Sequence, residues 1–543
     1  MLRLTKAMQV TRSNFRSSLE SVYDSINGAD LLAFDTELTG LLTGDQKEDF
    51  LDSVPTRYTK LLKGSDPFII TQFGLCTFTW CNSTLRYEAK PFNFFTFPST
   101  LRGIQRDRWF VCQSTSIEFL CANNFDFNKV FREGISYLRQ EEEKTFRDNL
   151  TKTKNILAVA PKIDVPEDQK EFMDGIVSRM TAFQSGDGGL MLDLPPCNGF
   201  QRKLIFQQKD AFPGLHMHSE QNEKNERFIR CVRLVGDPKT AADKLAEEKE
   251  KEAIENAVGV SLVFKAMMDS GKLIVGHNMM LDVIHSLRQF HCKLPEEFPE
   301  FQKLVVQSMP RLVDNKLLAK HDKYQTVFDK THLGNVFTTA QSGRFRQPAI
   351  AVHKDIQQTE QAHDAAYDAY MTGFSFLRLL RGLEDGPIAT GPVDLSSEHV
   401  DKLMHKVNMM QSFDVPFIDL AQENVEPKRP NIMVMTFPKE WDFKAIMSFF
   451  TSHESAVPNQ LKWINDTSAY VCFNTVVNVS LVIAELSKAA SAEGVEFIPV
   501  DASGHGPTIP QKRKSSTSPD APAADLKKQR SEDLTVLEPA DPV

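Results

Sequence analysis

Short apolar runs followed by polar residues mark the buried strands of this chain. Residues 31–34 form such a run, with Asp35 and Glu37 directly after it, and residues 273–275 form another before a glycine. Apolar runs of this length, bounded by turn-forming residues, are typical of strands buried on both faces. The pattern therefore predicts two interior strands with polar groups at their carboxyl ends.

Alternation of apolar and polar residues predicts further strands. Residues 68–80 alternate and residues 90–98 are rich in phenylalanine, so both ranges are expected to be strands. Together with the strand at 31–34 they predict an antiparallel meander. A later strand is predicted near 311–314, and helices, of which 13–27 is the first, accompany the sheet. The predicted fold class is a mixed α/β sheet.

Four acids and one histidine occupy places where their side chains can meet. Asp35 and Glu37 stand two apart at a strand end, so both carboxylates point to one face. Asp282 falls in the first turn of the helix after the second buried run. Asp368 lies in a later helix, and His363 is expected before that helix begins, since residues five apart on one helix diverge by about 140°.

Such a cluster predicts bound divalent cations, because neighbouring carboxylates repel one another without them. Taken singly, each motif has a simpler interpretation. Asp35 and Glu37 could be a solvated strand end, and Asp282 could be a favourable partner of a helix dipole. His363 could be a structural histidine.

The long stretch between Glu37 and Asp282 predicts an inserted domain, because a compact sheet does not need such a loop. The chain is expected to return from the insert through a highly charged, solvated helix. Residues 432–437 and 469–473 predict strands of a further small domain. The predicted division is a split catalytic domain at 1–160 and 245–385, an insert at 165–240, a sheet domain at 425–500 and a disordered tail at 501–543.

Composition and charge narrow the classes of function. The chain has 543 residues, of which 41% are hydrophobic and 25% charged, as in ordinary globular domains. No apolar run approaches the ~18 residues that cross a bilayer, so no membrane partner is expected. The net charge of −9 argues against sequence-blind nucleic-acid binding through excess Lys and Arg. The negative charge is compatible with an acidic cleft in which bound cations contact the phosphates of a nucleic acid.

The cysteine pattern indicates a reduced protein. The eight cysteines show neither a C-x-x-C pair nor the spacing of a disulfide framework. Cys76, Cys112, Cys121 and Cys472 lie in apolar contexts and are predicted to be core thiols. The chain is therefore expected to be intracellular.

The spacing of the last histidine and acid resembles the DEDD exonuclease superfamily in its histidine branch (DEDDh). That branch carries H-x4-D, as His363 and Asp368 do, whereas the tyrosine branch would need a tyrosine at Asp364. Runs including FDTELTG, FVCQSTSIEFL, GFQRKLIFQ, GKLIVGHNMMLD and TFPKEW resemble, in the same order, the poly(A)-specific ribonuclease (deadenylase) family. The resemblance covers roughly residues 12–475.

This resemblance implies an RNase H-like mixed-sheet nuclease domain, interrupted by an R3H-type insert and followed by an RRM-type α+β domain and a disordered tail. It implies a 3′–5′ exoribonuclease that shortens poly(A) tails of mRNA and releases 5′-AMP. The implied cofactor is Mg²⁺, two ions per site with Mn²⁺ as a substitute, held by Asp35, Glu37, Asp282 and Asp368. His363 would take the proton of the attacking water.

The resemblance also implies binding residues. RNA contacts are implied for Ile117, Phe119, Asn278 and Lys316, and a stacking contact with the 7-methylguanosine cap for Trp463. For Phe119, Lys316 and Trp463, packing against other residues is the alternative role.

Two motifs depart from the family pattern. Arg202 is followed four residues later by Phe206 instead of the histidine of R3H domains, so RNA binding is not implied for the insert. Asp466 and Ser468 replace a basic and an aromatic residue of the RNP motif, which weakens the stacking platform of the RRM-type domain.

Poly(A) RNA and capped mRNA are the implied partners, and a homodimer is the expected assembly. The basic clusters 512–514 and 527–530 resemble a bipartite nuclear import signal, so nucleus and cytoplasm are the expected locations. Two other functions stay open. One is a 3′-end trimmer of small or non-coding RNAs, and the other is a cap- or RNA-binding protein without catalysis.

Three features have no assigned place. Asp364, beside the expected base, is predicted to compete for metal or to raise the pKa of His363. Asp314 is an acid on a late strand, and the segment 322–360 matches the family poorly.

Overall fold

The computed structural model describes residues 8–44, 46–100, 107–159, 162–186, 189–222, 224, 226–235, 237–352, 363–384, 390–453, 455–473 and 477–500. The predicted disordered tail at 501–543, with its basic clusters 512–514 and 527–530, lies outside the described residues. So do residues 353–360 of the unassigned segment 322–360.

Two compact units, Met1–Pro427 and Lys428–Val543, divide the chain. The described residues form sixteen strands, β1 to β16, at Met8–Val10, Leu31–Leu38, Ile70–Cys81, Arg86–Phe95, Met191–Asp193, Leu215–Gln221, Arg227–Arg233, Leu273–Gly276, Leu312–Asp314, Ile350–Val352, Lys406–Asn408, Phe417–Asp419, Ile432–Thr436, Gln460–Asn465, Ser468–Cys472 and Glu496–Pro499. The same residues form seventeen α-helices, α1 to α17, at Phe15–Gly28, Val54–Gly64, Ser114–Ala122, Phe127–Glu133, Gln140–Val159, Lys170–Ser185, Gly199–Phe206, Pro238–Val258, Val260–Asp269, Met280–Ser286, Phe298–Ser308, Asn315–Ala319, Leu333–Ala340, Ala365–Leu383, Glu398–Leu403, Phe443–Ser452 and Val479–Ala492. In this described part of the chain, no helix has the length and apolarity that crossing a bilayer requires.

A mixed sheet organises the first unit. Its strands lie in the order β1-β4-β3-β2-β8-β9, and β10 also pairs with β4. Strands β2, β3 and β4 are antiparallel neighbours, as the predicted meander requires, while β2, β8 and β9 run parallel. The first buried strand is longer than predicted. It continues to Leu38 because Asp35 and Glu37 pair with Gly74 and Gln72 of β3, so the two acids lie within the strand.

Both faces of β2 are covered, which explains its apolar start. Leu32 and Phe34 belong to a core shared with α1, α2, α9 and α10, whereas Leu31 and Ala33 belong to a core shared with α14. Alternate residues of a strand share a face, so the acids at positions 35 and 37 face α14.

Helix α14 lies close against β2 and β3 because a glycine leaves room for its first turn. A Cβ at Gly74 would lie 2.0 Å from the carbonyl oxygen of Ala365, well inside contact distance. The helix starts after Asp364, whose side chain accepts a hydrogen bond from the Tyr367 N–H at 3.3 Å. This close packing brings Asp368 toward the strand that carries the first two acids.

The chain between α5 and α8 forms a small layer with its own core. Strands β5, β7 and β6 make an antiparallel sheet in that order, and α6 and α7 accompany it. Met173, Met180, Leu204 and Ile229 are buried together there. The run GFQRKLIFQ contains α7, and the highly charged helix predicted to lead out of the insert is α8. The predicted domain limits stay predictions.

The second unit combines one sheet with two helices. The sheet has the order β14-β15-β13-β16, with α16 after β13 and α17 after β15, so the chain order is βαββαβ. The strands predicted at 432–437 and 469–473 are β13 and β15. Met433, Phe450 and Val471 pack in the core of this unit.

Two of the four predicted core thiols lie at the surface. Cys76 and Cys472 are buried, but Cys112 and Cys121 are exposed, so the prediction for these two is wrong. Cys112 precedes α3 and Cys121 belongs to it, and α3 buries only Leu120. A locally apolar context does not determine whether another element covers the residue.

The described part of the unassigned segment packs against α14. The Tyr324 hydroxyl donates to the carbonyl oxygen of Leu379, and its ring meets those of Phe328 and Phe345. This segment therefore completes the core on the α14 side of the sheet.

Candidate active site

Three elements bring the predicted acids to one place. Asp35 and Glu37 come from β2, Asp282 from the first turn of α10, and Asp368 from the first turn of α14. One ligand atom each from Glu37, His363 and Asp368 lies within 4.8 Å of the other two, a spacing suited to a metal ion.

The four carboxylates influence one another's pKa values. Burial raises the pKa of Asp35, and the charges of Asp282, Asp368 and Glu37 raise it further. The pKa of Glu37 is raised by burial and then by Asp368 and Asp282. Burial is also the main cause that raises the pKa of Asp282 to about 6 and that of Asp368 to about 7. These mutual effects show that the four acids surround one spot, where a cation would favour their ionised forms.

His363 stands before α14, as the spacing predicts. Its backbone has φ +68°, a left-handed conformation that is uncommon outside glycine. Ring Nδ1 lies 3.9 Å from Oδ2 of Asp368, and the Phe119 ring stands edge-on with its centroid 4.4 Å from that of the histidine. Burial lowers the pKa of His363, so the ring is neutral near pH 7 and able to accept a proton.

The neighbouring acid Asp364 is held by hydrogen bonds of its own. Its Oδ2 accepts one from Asn93 Nδ2 at 2.7 Å, and its Oδ1 caps α14. Burial lowers the pKa of His363. The predicted rise caused by Asp364 is therefore wrong, whereas its competition for metal stays a prediction. The side chain of Asp364 caps α14.

Asp314 organises the loops at the carboxyl ends of β8 and β9. It is fully buried. Its Oδ1 accepts hydrogen bonds from the N–H groups of Asn278 (2.8 Å) and Lys316 (2.9 Å), and its Oδ2 accepts one from the N–H of Asn408 (2.9 Å). Asn278 and Lys316, both predicted RNA contacts, are thus fixed at the sheet edge where parallel strands place ligand sites.

A hairpin that no sequence pattern indicated holds Asn278. Strands β11 and β12 form it. Asn408 Nδ2 donates to Oδ1 of Asn278 at 2.7 Å, and Lys320 Nζ donates to Oδ1 of Asn408 at 2.7 Å. Met410, just beyond β11, contacts the Asn278 amide. Asn278 has φ +61°, a conformation that persists where its surroundings support it.

The remaining predicted contacts lie on other elements. Ile117 is half-buried on α3, and Phe119 on the same helix is 47% exposed. Burial is the main cause that lowers the pKa of Lys316. Trp463 belongs to the second unit, on β14, where its ring meets that of Phe437 edge-on with centroids 5.4 Å apart.

Known proteins match both units of the chain. The model of the CAF1 family ribonuclease matches residues 10–376, and that of the RNA binding domain matches residues 422–498. The poly(A)-specific ribonuclease PARN of Xenopus laevis is 36% identical over 500 residues, which cover 88% of this chain and 78% of that protein. The chain belongs to the CAF1 family of ribonucleases, in its poly(A)-specific group. The poly(A)-specific ribonuclease PARN of Homo sapiens is 35% identical with the same coverage.

The CAF1 match includes the whole acidic cluster and His363. The β11–β12 hairpin with Asn408 lies between the two matched ranges. The Mg²⁺- and Mn²⁺-bound structure of S. pombe Pop2p covers 72% of this chain and 99% of its own, with 14% identity and a TM-score of 0.34. That superposition is too weak to support an inference.

Proposed function

We propose that this protein is a deadenylase, a 3′–5′ exoribonuclease that shortens poly(A) tails of mRNA and releases 5′-AMP. The observation that carries this proposal is the partly buried cluster of Asp35, Glu37, Asp282 and Asp368, with His363 at its edge, in a member of the poly(A)-specific group. Hydrolysis of a phosphodiester needs a proton acceptor for water and positive charge near the phosphate.

We propose that the cluster holds two Mg²⁺ ions, with Mn²⁺ as a substitute. Carboxylate oxygens are the ligands that both ions prefer. Three candidate ligand atoms lie within 4.8 Å of one another, and the acids raise one another's pKa values, as a site built for cations does. When bound, such ions supply charge neutralisation to phosphate and lower the pKa of water.

The chain's own groups position the reactants. His363, kept neutral by burial, accepts the proton of the attacking water, and Asp368 at 3.9 Å stabilises the protonated ring. Phe119, exposed beside the histidine, offers an aromatic surface to the terminal base. Asn278 and Lys316, fixed by Asp314, offer an amide and an ammonium group to base and phosphate. Ile117 lies on the same helix as Phe119 and is proposed to line the same path.

The test of this function uses 5′-labelled RNAs that differ only in their last twenty nucleotides, which are all A, all U or all C. With Mg²⁺, the purified protein is expected to shorten the A-tailed RNA stepwise and to release 5′-AMP, measured by gel and chromatography. Equal rates on all three tails would favour the 3′-end trimmer. Binding without shortening would favour the RNA-binding protein without catalysis.

Metal-free protein is expected to lose stability as the pH rises. The folded protein keeps protons on Asp282 and Asp368 up to about pH 6 and 7, whereas the unfolded chain releases them near pH 4. The folded state binds more protons in this window, so stability falls from about pH 4 to 7. In EDTA, we expect the Tm to drop by about 5 °C or more between pH 5 and 8. Mg²⁺ should restore most of this loss at pH 8.

The matched control for this measurement is Asp368→Asn, which removes one titrating carboxyl while keeping its shape. Its metal-free Tm should fall less with pH than that of the wild type, and Mg²⁺ should raise it less. The proposed acidic metal site is contradicted if, between pH 5 and 8, the metal-free Tm of the wild type rises relative to that of the variant.

Asn408→Ala is expected to weaken RNA binding more than the chemical step. The change leaves Asn278 Oδ1 and Lys320 Nζ without their hydrogen-bond partner and loosens the strained turn at Asn278. Losing one or two such bonds corresponds to about 1–2 kcal/mol, so KM for an adenylate oligonucleotide should rise about five- to thirtyfold with kcat nearly unchanged.

The control is Asn424→Ala, which removes an amide that serves only the end of the same hairpin, at Asp419 and Gln422. It should leave KM within about twofold. Equal changes in both variants would mean that hairpin stability, not the Asn408 contact, decides binding.

We further propose that the second unit is RRM-type and binds the 7-methylguanosine cap through Trp463, and that the insert is R3H-type. The βαββαβ chain order and the 37% exposure of Trp463 support the first part. In the insert, Arg202 donates to the carbonyl oxygen of Cys197, so no RNA contact is proposed for it. Titration with 7-methylguanosine triphosphate, compared between wild type and Trp463→Ala, measures the cap site. A homodimer and residence in nucleus and cytoplasm complete the proposal, open to sedimentation and imaging.

A further inference from the structure

A cavity of about 520 Å³ lies beyond the end of β2, on the first unit. We call it the basic cleft. Its cationic side chains are Lys63, Arg108, Arg139, Arg288 and Lys293. Only two acids line it, so the cleft carries an excess of positive charge in a chain whose net charge is −9.

Part of this charge has no partner in the described structure. Arg108 is held by Glu142 at 2.7 Å, and Arg139 forms ion pairs with Glu141 and Glu142 at 3.7 Å. Arg288 donates to the carbonyl oxygen of Leu62 at 2.7 Å. Neither Lys63 nor Lys293 forms an ion pair with any described residue. The three anchored arginines therefore form the wall of the cleft, and the two lysines are available to bind an anion.

An aromatic side chain stands at the same cleft. Trp109 lines it and is 93% exposed, more than any other large apolar residue in the described part of the chain. Its segment is fixed in place: the N–H of Val111 donates to the carbonyl oxygen of Pro67, and that of Gln113 to the carbonyl oxygen of Thr39, both at 2.8 Å. An exposed indole on a fixed backbone, beside unpaired lysines, is a combination that binds single-stranded nucleic acid through stacking and phosphate contacts.

The basic cleft is connected to the acidic cluster by the chain itself. The segment that carries Trp109 continues into α3, where Phe119 meets the ring of His363. At about 3.3 Å per extended and 1.5 Å per helical residue, the path along the chain from Trp109 to Phe119 is about 24 Å long. A short stretch of RNA spans such a distance.

We propose that the basic cleft binds the RNA upstream of its 3′ end, with a base stacked on Trp109 and phosphates at Lys63 and Lys293. This rests on the proposed exoribonuclease function, which places the 3′ end beside Phe119 and His363. The occupant is anionic because the free groups are cations. A second copy of this acidic chain is the competing occupant that the test must separate.

The test compares a triadenylate with a twenty-residue adenylate as substrates. The trinucleotide fills the acidic site without reaching the cleft. For Trp109→Ala, we expect kcat/KM on the long substrate to fall about tenfold, the scale of losing one stacked base, with the trinucleotide unchanged. Lys293→Gln should lower the slope of log Kd against log salt by about one for the long RNA.

The matched controls are Leu85→Ala, an exposed apolar residue, and Lys265→Gln, an exposed lysine paired with Asp269. Both should behave as wild type. Binding of labelled long adenylate in an Asp35→Asn background, followed by fluorescence anisotropy, gives a second readout that needs no turnover.

Three outcomes overturn the proposal. They are an equal loss on both substrates, no loss in rate or anisotropy on the long one, and a change of oligomeric state in Trp109→Ala seen by sedimentation. If the wild type cleaves neither substrate, the proposed exoribonuclease function is wrong. The anisotropy measurement still shows whether the basic cleft binds RNA, because it needs no turnover.

Discussion

Asp35→Asn is expected to lower the rate of poly(A) shortening by about 10³-fold or more without unfolding the protein. Asp35 lies on β2 with its carboxylate among those of Glu37, Asp282 and Asp368. Asparagine has the same shape but no charge, so the site loses affinity for cations and the electrostatic help that they give to the reacting phosphate. Removing one group that stabilises charge in the transition state lowers the rate by about 10²–10³-fold. Here the Asp35 carboxylate serves both cation binding and the electrostatic stabilisation of the reacting phosphate.

The measurement is single-turnover hydrolysis of a labelled adenylate oligonucleotide with saturating Mg²⁺, with circular dichroism as the check on folding. In EDTA, the variant should be more stable than the wild type, because burial and three neighbouring charges raise the pKa of Asp35 in the folded state. A variant that keeps more than a tenth of the wild-type rate would falsify the assignment of the acidic cluster.

The matched control is Asp364→Asn, at a half-buried acid close to the same site. Asp364 bonds to Asn93 and caps α14, and asparagine can keep the cap. We expect its rate to stay within about fivefold of the wild type. Equal losses in the two variants would mean that any charge change in this region disables the enzyme.

Gly74→Ala is expected to lower both the rate and the stability. A methyl group there would lie 2.0 Å from the carbonyl oxygen of Ala365 and 2.5 Å from the N of Ala366. Both are backbone atoms, so the start of α14 or strand β3 must shift. Overpacking of this kind costs about 1–3 kcal/mol. A shift of about 1 Å at Asp368 and His363 costs about 100-fold in rate.

Gly334→Ala is the control, since a Cβ at Gly334 in α13 meets nothing within 4 Å. It should keep the rate and leave the free energy of unfolding unchanged or raised by up to about 1 kcal/mol. Urea unfolding and single-turnover rates measure both effects. If Gly74→Ala lowers stability yet keeps the wild-type rate, the close approach of α14 serves packing alone.

Local sequence patterns correctly predicted those features of the site that depend only on residues close together in the chain. The spacing of Asp35 and Glu37 placed both acids on one face of a strand, because side chains alternate along it. The spacing of His363 and Asp368 put the histidine outside the helix, and the structure has α14 beginning at Ala365. These relations hold within one turn or one strand, so no distant residue is needed to establish them.

The same reasoning failed where coverage by another element mattered. Cys112 and Cys121 have apolar neighbours in the chain but lie at the surface. The roles of Asp314 and Asp364 were equally invisible, because their partners Asn408 and Asn93 lie far away along the chain. An acid that caps a helix and one that binds a cation look alike in the sequence.

By itself, the sequence determined the kind of chemistry, because it contains four acids and a histidine at spacings that local secondary structure orients. All five residues lie within the range that the CAF1 family model matches. Only the tertiary structure decided how they meet. The contact of Gly74 with α14, the support of Asn278 by Asn408 and the place of Trp109 at the basic cleft join residues of separate segments. Packing of the whole chain selects such contacts, since hydrophobic burial and hydrogen bonding act between surfaces that no local spacing encodes.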